Sequence, residues 1–340
     1  MNKIAIVVFD DAQILDVAGP MEMFRGATLA LRERRAQTEP AYEIHIVARE
    51  KGPVRTSCGL TIVATDAFAF APRDVDTLMV SGGVMGAALK DAALLDYVRD
   101  TAKRARRVVA SGTGTFVLAT SGLLDGRRAT THWRAGKSLA ALFPRVRVEP
   151  DQVYVRDGSF MTSAGASAAL DQALALVQED FGRDVAMSVA HRKVMFLRRT
   201  GGESQVSSHL SAQMIGHEGL ARLAAWILDN TSKEITAEVL AEQSAMSPRT
   251  LSRLFARELG TTPAGFIERA RLEVARRLLE ESDMRIDTIA RRSGFGSEER
   301  LRRSFQRSLG MTPREYHDRF REAGKSAENW PLLLERAARG

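Results

Sequence analysis

The sequence predicts an α/β domain followed by an all-α domain that contains two helix-turn-helix motifs. In the first two hundred residues, short runs rich in β-branched residues alternate with alanine-rich helical stretches, a pattern typical of a largely parallel sheet. Near the carboxyl end, a segment of thirteen residues recurs fifty positions later, which indicates two copies of one structural unit. The length of 340 residues is enough for two or three domains.

Four β-branched runs supply the predicted strands of the first domain, at residues 4–9, 42–48, 76–83 and 106–112. A later stretch, VYVRDGSFMTSAG, predicts a hairpin that turns at Asp157 and Gly158. Two helices are expected within residues 167–197. We therefore assign residues 1–200 to this domain.

The segment 201–219 is rich in glycine, serine and other polar residues and shows no helical periodicity, so we interpret it as an interdomain linker. The helical domain is expected over residues 220–322. A tail, residues 323–340, follows it, with an apolar patch around Leu332 that either packs on the helical domain or is disordered.

The repeated segments are LSRLFARELGTTP at 251–263 and LRRSFQRSLGMTP at 301–313, and eight of their thirteen positions are identical. In each copy apolar residues recur at every fourth position, so one stripe of a helix packs inward. Gly260 and Gly310 are expected to end these helices. Ser247 before Pro248, and Ser297 before two glutamates, are typical N-caps. A short helix precedes each, so the sequence predicts two helix-turn-helix motifs.

The second helix of such a motif fits the major groove of DNA, where arginine forks bind guanine edges or phosphate oxygens. A solvated basic face on a helical hairpin is the plainer alternative, and the presence of two copies disfavours it. Glu299 either accepts a hydrogen bond from cytosine or faces solvent. The candidate DNA-binding residues are Ser247, Arg249, Ser252, Arg253 and Arg257 in the first copy, and Ser297, Glu299, Arg300, Arg302, Arg303 and Arg307 in the second.

The stretch SGFGSEERLRRSFQRSLGMTPREYHDRF, residues 293–320, resembles the signature of the AraC/XylS family of transcription regulators. The resemblance extends over residues 235–320 and includes the Gly-Phe turn, the recognition-helix phenylalanine and the Thr-Pro-x-x-Tyr ending. It implies that a long helix, at residues 263–281, spaces the two motifs. Both recognition helices would then enter successive major grooves of double-stranded DNA, roughly 34 Å apart.

Composition limits the alternatives. A single cysteine, Cys58, excludes an intramolecular disulfide framework and suits a reducing cytoplasm. The histidines form no metal-like cluster, so we expect no metal and no other cofactor. No stretch has the length of a membrane span, and the first residues lack a signal-peptide cleavage site. The formal net charge of +7 suits a polyanion, but the excess is not concentrated in the helical domain.

Two sharp turns follow predicted strands of the first domain. Ser81-Gly82-Gly83 lets a ligand approach the backbone closely, and ASGTG at 110–114 leads from a strand directly into a helix. Open α/β sheets bind ligands outside the carboxyl ends of their strands. A strand-elbow-helix is also where several hydrolase families place their nucleophile. The two turns therefore predict a ligand site or an active site.

Residues 4–199 resemble the PfpI-like branch of the class I glutamine amidotransferase superfamily, in the form fused to AraC domains. The match includes ILDVAGPMEMF, GTFVLATSGLLDGRRATTHW and TSAGASAALDQAL. It implies a flavodoxin-like sandwich with a mostly parallel sheet. The elbow cysteine of that superfamily falls at Gly112, so the nucleophile is missing, whereas Asp16 and His132 match its acid and its histidine. Ser111 and Thr113 each lie one residue from the elbow apex.

The expected site is therefore a ligand pocket without catalytic chemistry. An Asp16 carboxylate beside His132, facing the N–H groups of Gly83 and Thr113, suits a small zwitterion. In the plainer alternative the glycines only make turns, Asp16 caps a helix and Trp133 fills the core. The candidate ligand-binding residues are Asp16, Gly82, Gly83, Gly112, Thr113, His132 and Trp133.

We expect a cytoplasmic DNA-binding transcription regulator, an activator that acts with RNA polymerase under the control of a small-molecule effector. The resemblance implies dimerisation through the first domain and an effector such as an amino acid or a quaternary amine. One alternative is a hydratase or amidase fused to a DNA-binding domain, which needs a nucleophile. The other is a constitutive DNA-binding dimer, which stabilisation of the protein by a ligand would exclude.

Overall fold

The computed structural model describes residues 1–34, 39–195, 199, 201 and 204–324. The chain divides into two units, Met1–Gln205 and Val206–Gly340. In the described residues the first unit combines strands and helices, whereas the second is helical. The predicted fold class is thereby confirmed.

The strands of the first unit are β1 (Asn2–Val7), β2 (Tyr42–Ala48), β3 (Gly52–Arg55), β4 (Thr61–Ala64), β5 (Asp66–Ala67), β6 (Thr77–Val80), β7 (Arg107–Ser111), β8 (Arg128–Ala129), β9 (Arg147–Val148), β10 (Tyr154–Asp157) and β11 (Phe160–Ser163). Within the described residues, seven of them form one sheet in the order β10-β11-β7-β6-β1-β2-β5. All neighbours are parallel except β10 and β11, which form the predicted hairpin. Two short pairs, β3 with β4 and β8 with β9, lie outside this sheet.

The helices of the first unit are α1 (Leu15–Glu33), α2 (Met85–Ala88), α3 (Ala92–Ala102), α4 (Gly114–Thr120), α5 (Gly136–Leu142), α6 (Ser167–Phe181) and α7 (Arg183–Arg192). Alternate residues of β1 enter two different cores. Ile4 and Ile6 share a core with α1, α6 and α7, whereas Ala5 and Val7 share one with α3 and α4. Because both faces of the sheet are covered, its central strands are continuous apolar runs in the sequence.

The carboxyl ends of β1, β6, β7 and β11 meet at one edge of the sheet, because these neighbouring strands run parallel. The chain leaves this edge in four turns that contact one another. Ala12, after β1, forms a bridge with Gly83, after β6. The N–H of Gly112, after β7, donates to the carbonyl of Ser163 at the end of β11. The turns that the sequence singles out therefore lie side by side.

The helices of the second unit are α8 (Ser208–Gln213), α9 (Glu218–Asp229), α10 (Ala237–Ser244), α11 (Pro248–Leu259), α12 (Pro263–Glu281), α13 (Ile286–Arg292), α14 (Glu298–Leu309) and α15 (Pro313–Gly324). The pairs α10–α11 and α13–α14 are the two predicted helix-turn-helix motifs. The hydroxyls of Ser247 and Ser297 cap α11 and α14. Gly260 and Gly310 end these helices with φ of +64° and +68°, in the left-handed region that favours glycine.

The long helix α12 has the bounds that the sequence predicts and belongs to two cores. Its first half, with Phe266 and Ile267, packs with α8 to α11. Its second half, with Leu272 and Leu279, packs with α13 to α15. Each helix-turn-helix motif thus has its own apolar core, and α12 joins the two.

The prediction that residues 201–219 form a linker is wrong for part of this segment. Residues 208–213 form α8, which the Ser207 hydroxyl caps, and α9 begins at Glu218. Ala212 is buried in the core of the first helix-turn-helix motif. The sequence hides α8 because two turns with few apolar residues show little periodicity. Residues 202–203 lie outside the described residues, as does 325–340 of the predicted tail.

Candidate functional site

Gly112 forms a sharp elbow between β7 and α4. Its φ is +53°, in the left-handed region, and the helix begins two residues later at Gly114. A Cβ atom added at Gly114 would lie 2.6 Å from the carbonyl oxygens of Val80 and Ser81, so only a glycine lets α4 pass this close to β6. The residues thus form a strand-elbow-helix of the kind that hydrolases use, with no side chain at the apex.

Asp16, at the start of α1, is buried at the elbow with 2% of its surface exposed. Its carboxylate accepts hydrogen bonds from the N–H of Gly82 at 2.9 Å and from that of Ala166 at 2.6 Å. Burial raises the pKa of Asp16 from 3.8 to about 6, although both donors act in the opposite direction. A Cβ atom added at Gly112 would lie 3.4 Å from its Oδ2 atom. The acid therefore faces the place where an elbow side chain would begin.

Gly82, Gly83 and Thr113 are linked to one another rather than open to a ligand. The N–H of Gly83 donates to the Thr113 hydroxyl at 2.9 Å, and this hydroxyl donates to the Gly83 carbonyl at 2.8 Å. Because Asp16 engages the N–H of Gly82, both glycine donors have protein partners. The expectation that the N–H of Gly83 faces a ligand is wrong, because the Thr113 side chain, which the sequence cannot orient, already accepts from it.

His132 and Trp133 lie on a segment that contacts the elbow through Thr131, whose hydroxyl donates to the Gly112 carbonyl at 2.8 Å. Among the described residues, no hydrogen bond or ion pair joins His132 to Asp16, so the expected acid–imidazole pair is not formed. Partial burial and the nearby Arg134 lower the pKa of His132. Trp133 is 44% exposed, and the Arg134 guanidinium lies 4.9 Å from its ring centre.

Gln205, the last residue of the first unit, is an anchor that the sequence analysis placed in a linker. Its side-chain amide donates to the carbonyls of Thr131 at 2.8 Å and Gln152 at 3.1 Å. The adjacent Ser204 donates to the Asp151 carboxylate at 2.8 Å. Thr131 therefore connects the elbow at Gly112 with the residue that leads into the second unit. Nothing in the local sequence could have indicated these contacts, since each partner lies more than fifty positions away.

The recognition helices α11 and α14 expose the same positions. In both, the first, fourth and fifth residues of the repeat are buried, and the candidate DNA-binding residues lie on the exposed side. On α11, the side chains of Arg249 and Arg253 form no ion pair among the described residues. Arg257 pairs with its neighbour Glu258 at 2.7 Å.

The arginines of α14 are more fully paired. The Glu299 carboxylate accepts from Arg302 at 3.0 Å and lies 3.6 Å from Arg303. Arg307 pairs with Glu268 of α12. Glu299 is therefore a partner of neighbouring arginines in the free protein. Arg300 forms no ion pair among the described residues.

A cavity of about 610 Å³ lies between the two helix-turn-helix motifs. Ser252 of α11 and Arg300, Arg303 and Arg307 of α14 line it, with Arg271 of α12. Part of the candidate DNA face is thus concave and carries several positive charges. Arg271 is not among the predicted DNA-binding residues, because it lies on α12 rather than on a recognition helix.

The described residues contain no group of three or more histidine, cysteine, aspartate or glutamate side chains placed to hold a metal ion. None of their helices combines the length and the apolar character needed to cross a membrane. Cys58 is exposed and lies outside the elbow.

Comparison with known proteins yields two family matches. The DJ-1/PfpI family matches residues 2–179, and a helix-turn-helix domain matches residues 240–319. The HTH-type transcriptional regulator CdhR of Pseudomonas aeruginosa is 29% identical over 272 residues, which cover 80% of each chain. The isonitrile hydratase of Pseudomonas putida is 36% identical over 190 residues, which cover 55% of this chain and 75% of the hydratase.

One solved structure extends the fold comparison. A THiJ/PfpI family protein from Pseudomonas syringae superposes with a TM-score of 0.51 at 27% identity. The match covers 72% of this chain and 89% of that protein. The 272 residues that match the regulator exceed the length of either unit, so this similarity includes parts of both, whereas the hydratase match covers 55% of the chain.

Proposed function

Because the chain belongs to the DJ-1/PfpI family and carries a helix-turn-helix unit of the AraC type, we propose that it is a DNA-binding transcription regulator controlled by a small molecule. The second unit binds the operator, and the first unit binds the effector. Such a protein works in the cytoplasm as an activator that contacts RNA polymerase. We expect a homodimer, which sedimentation of the full chain tests.

The observation that carries the DNA-binding role is the repetition of one exposed basic helix face. α11 and α14 have matching caps, matching burial and arginines at two matching positions, Arg253 with Arg303 and Arg257 with Arg307. A helix with such a face fits the major groove, and two of them joined by one helix suit two half-sites about one turn apart. A basic helix face that only contacts solvent would not require the same arrangement in two helices.

The test is the salt dependence of binding to duplex DNA. Contacts to phosphates release counterions, so the logarithm of the association constant should fall steeply and linearly with the logarithm of salt concentration. Fluorescence anisotropy with a duplex that the protein enriches from a random library measures this slope. Binding that is weak and indifferent to salt would contradict the proposed role.

The effector site that we propose lies at the elbow and at its Thr131–Trp133 side. Asp16 supplies a carboxylate whose pKa of about 6 allows ionisation near neutral pH. The Arg134 guanidinium lies 4.9 Å from the centre of the exposed Trp133 ring, and aromatic faces attract cations, which supports a place for a charged nitrogen here. Both features suit an effector with a charged nitrogen, such as an amino acid or a quaternary amine.

Loss of catalysis is the second part of the proposal. Covalent chemistry at the elbow needs a nucleophile, and Gly112 has no side chain. The neighbouring hydroxyls are engaged elsewhere: that of Ser111 donates to Gln172 at 2.9 Å, and that of Thr113 to the Gly83 carbonyl. Because one of the relatives is a hydratase, the alternative is an enzyme fused to a DNA-binding unit. Turnover that disappears in Ser111→Ala or Thr113→Ala would favour that alternative.

Thermal-shift screening with amino acids and quaternary amines tests effector binding, and calorimetry of the best compound measures its affinity. We expect Asp16→Asn to weaken binding roughly tenfold to hundredfold, since a charge-assisted contact contributes about 1.5–3 kcal/mol. DNA binding without effector should survive. Equal affinity of both proteins would remove Asp16 from the site.

Gln205 offers a separate test of control by the effector. If the path from Gly112 through Thr131 to Gln205 carries the signal, Gln205→Ala should still bind effector and DNA but lose the response of transcription to the effector. A screen that finds no stabilising compound would favour a constitutive DNA-binding dimer.

A further inference from the structure

Helix α12 carries a carboxylate that holds the second recognition helix. The Glu268 carboxylate accepts hydrogen bonds from the Ser304 hydroxyl and from the Arg307 guanidinium, both on α14. Ser304 is 2% exposed, whereas the side chains of Glu268 and Arg307 are 35% and 65% exposed. The contact therefore extends from the buried side of α14 to its outer face.

The corresponding positions of the first copy are filled differently. Leu254 stands where the repeat has Ser304, and it packs in a core with Phe266 and Ile267 of α12. Arg257 corresponds to Arg307, but it pairs with Glu258, its neighbour on the same helix. Apolar packing thus connects α11 to α12 at a position where a polar contact connects α14.

The two kinds of contact differ in what they specify. The attraction between apolar side chains is non-directional, so the contact of Leu254 constrains the orientation of α11 only through the shape of the packed groups. A hydrogen bond to a carboxylate is directional and stronger than one between neutral groups. An ion pair as exposed as Glu268–Arg307 adds little to stability. The Glu268–Arg307 pair and the hydrogen bond from the buried Ser304 hydroxyl therefore contribute to the orientation of α14 more than to stability.

We propose that Glu268 is a positioning residue for the second helix-turn-helix motif. Through Ser304 and Arg307 it fixes the orientation of α14 on α12, and so the placement of Arg300 and Arg303 against their half-site. Arg307 serves this contact rather than a base or a phosphate. The inference rests on the proposed function as a DNA-binding regulator.

The test uses the full chain and a duplex of about 40 base pairs, enriched by the wild-type protein from a random library and long enough for two half-sites about one turn apart. Hydroxyl-radical footprinting reads each half-site separately. Glu268→Ala should raise the protein concentration needed to protect one half-site by about tenfold, which corresponds to about 1.4 kcal/mol, and leave the other unchanged. Glu268→Gln should retain most of the protection, because its amide oxygen still accepts hydrogen bonds.

Glu258→Ala is the matched control, since it removes the acidic partner of Arg257 without touching the contact with α12. It should weaken neither half-site. Arg307→Ala separates positioning from direct binding. It should weaken the same half-site as Glu268→Ala and keep the wild-type salt slope, whereas loss of a phosphate contact would lower that slope by about one. The double variant should lose no more than either single variant.

If Glu268→Ala protects both half-sites as the wild type does, or weakens both equally, the inference is overturned and the proposed function stays intact. A reduced salt slope in Arg307→Ala would have the same consequence. A wild-type chain that enriches no duplex would overturn both. If circular dichroism shows Glu268→Ala to be unfolded, Ser304→Ala decides, because it removes one donor and little volume. Unchanged protection of both half-sites in that variant would also overturn the inference.

Discussion

The elbow of the first unit and the recognition helices of the second are both sites that the sequence predicts, yet their polar groups have opposite surroundings. At the elbow, the Asp16 carboxylate and the N–H groups of Gly82 and Gly83 are bonded within the protein. On α11, Arg249 and Arg253 are exposed and form no ion pair among the described residues. The first arrangement stabilises a local structure that an effector has to compete with, whereas the second is ready to bind an anionic partner.

A second difference separates the two recognition helices. α14 matches α11 in burial and capping, but the Glu299 carboxylate pairs with Arg302 and Arg303. DNA has to displace this carboxylate before these two arginines bind it. The two motifs therefore need not contribute equally to DNA binding although their sequences are similar. We expect the first motif to supply more of the direct contacts to DNA.

The largest expected effect concerns the buried carboxylate of the elbow. Folding raises the pKa of Asp16 from 3.8 to about 6, so the folded state holds this proton more tightly than the unfolded state does. The resulting stabilisation is fully present below about pH 4 and is lost as the pH rises through about 6, by up to about 3 kcal/mol. The free energy of unfolding of the first unit should therefore fall over this range relative to that of Asp16→Asn, which cannot titrate.

Thermal unfolding of both proteins between about pH 4 and about pH 8 measures this difference. The pH dependences of the two proteins are compared rather than their absolute stabilities. Asparagine accepts hydrogen bonds through only one oxygen, so the substitution changes the absolute stability as well. Parallel pH profiles would show that Asp16 does not titrate in this range, and would weaken the contrast between the two regions.

The next effect distinguishes the two recognition helices. Arg253→Ala should weaken binding to the enriched duplex by about 1–3 kcal/mol, because Arg253 is free to read a base. Arg303→Ala, at the corresponding position, should have a smaller effect, since Arg303 has to leave Glu299. Anisotropy titrations of both variants test this order. A larger loss in Arg303→Ala would reverse our ranking of the two copies.

A smaller effect in the opposite direction is expected at Glu299. Glu299→Gln removes the partner of Arg302 and Arg303, so affinity for a duplex of unrelated sequence should rise several-fold and its salt dependence should steepen. Glu298→Gln is the matched control, because Glu298 has the same charge in the same turn and no ion pair among the described residues. If both variants bind alike, the gain comes from net charge and not from freed arginines.

The smallest effect is expected at Cys58. Alkylation of this exposed cysteine should leave DNA binding unchanged, since it belongs to the first unit and not to a recognition helix. Assays with amide, ester and isocyanide substrates should detect no turnover, because Gly112 cannot form a covalent intermediate. Turnover that alkylation abolishes would show that the first unit is an active enzyme after all.

The elements that the sequence predicts best are those with strong local signals. The two serine caps, the glycine stops and the apolar stripes mark α11 and α14, and Pro263 marks the start of α12. Short apolar runs mark β1, β6 and β7, and β2 is marked by apolar residues that alternate with Glu43 and His45. By contrast, β5, β8 and β9 have two residues each and α8 has six, too few for a periodic pattern.

The candidate site was less predictable, because its geometry depends on partners far apart in the chain. Asp16 bonds to residues 66 and 150 positions away, and Gln205 to Thr131, 74 positions away. Sequence identifies the residue types at the elbow but not the direction of their hydrogen bonds. Glu268 was missed for the same reason, since it lies on a helix chosen only as a spacer.

The most direct test of the proposed function is a hydroxyl-radical footprint of the full chain on a duplex that it enriches from a random library. We predict two protected segments on one face of the DNA, with centres about one helical turn apart, both present at low salt and weakened together as salt rises. A single protected segment would show that only one helix-turn-helix motif enters a groove. Failure to enrich any duplex would contradict the account of the second unit as a DNA-binding domain.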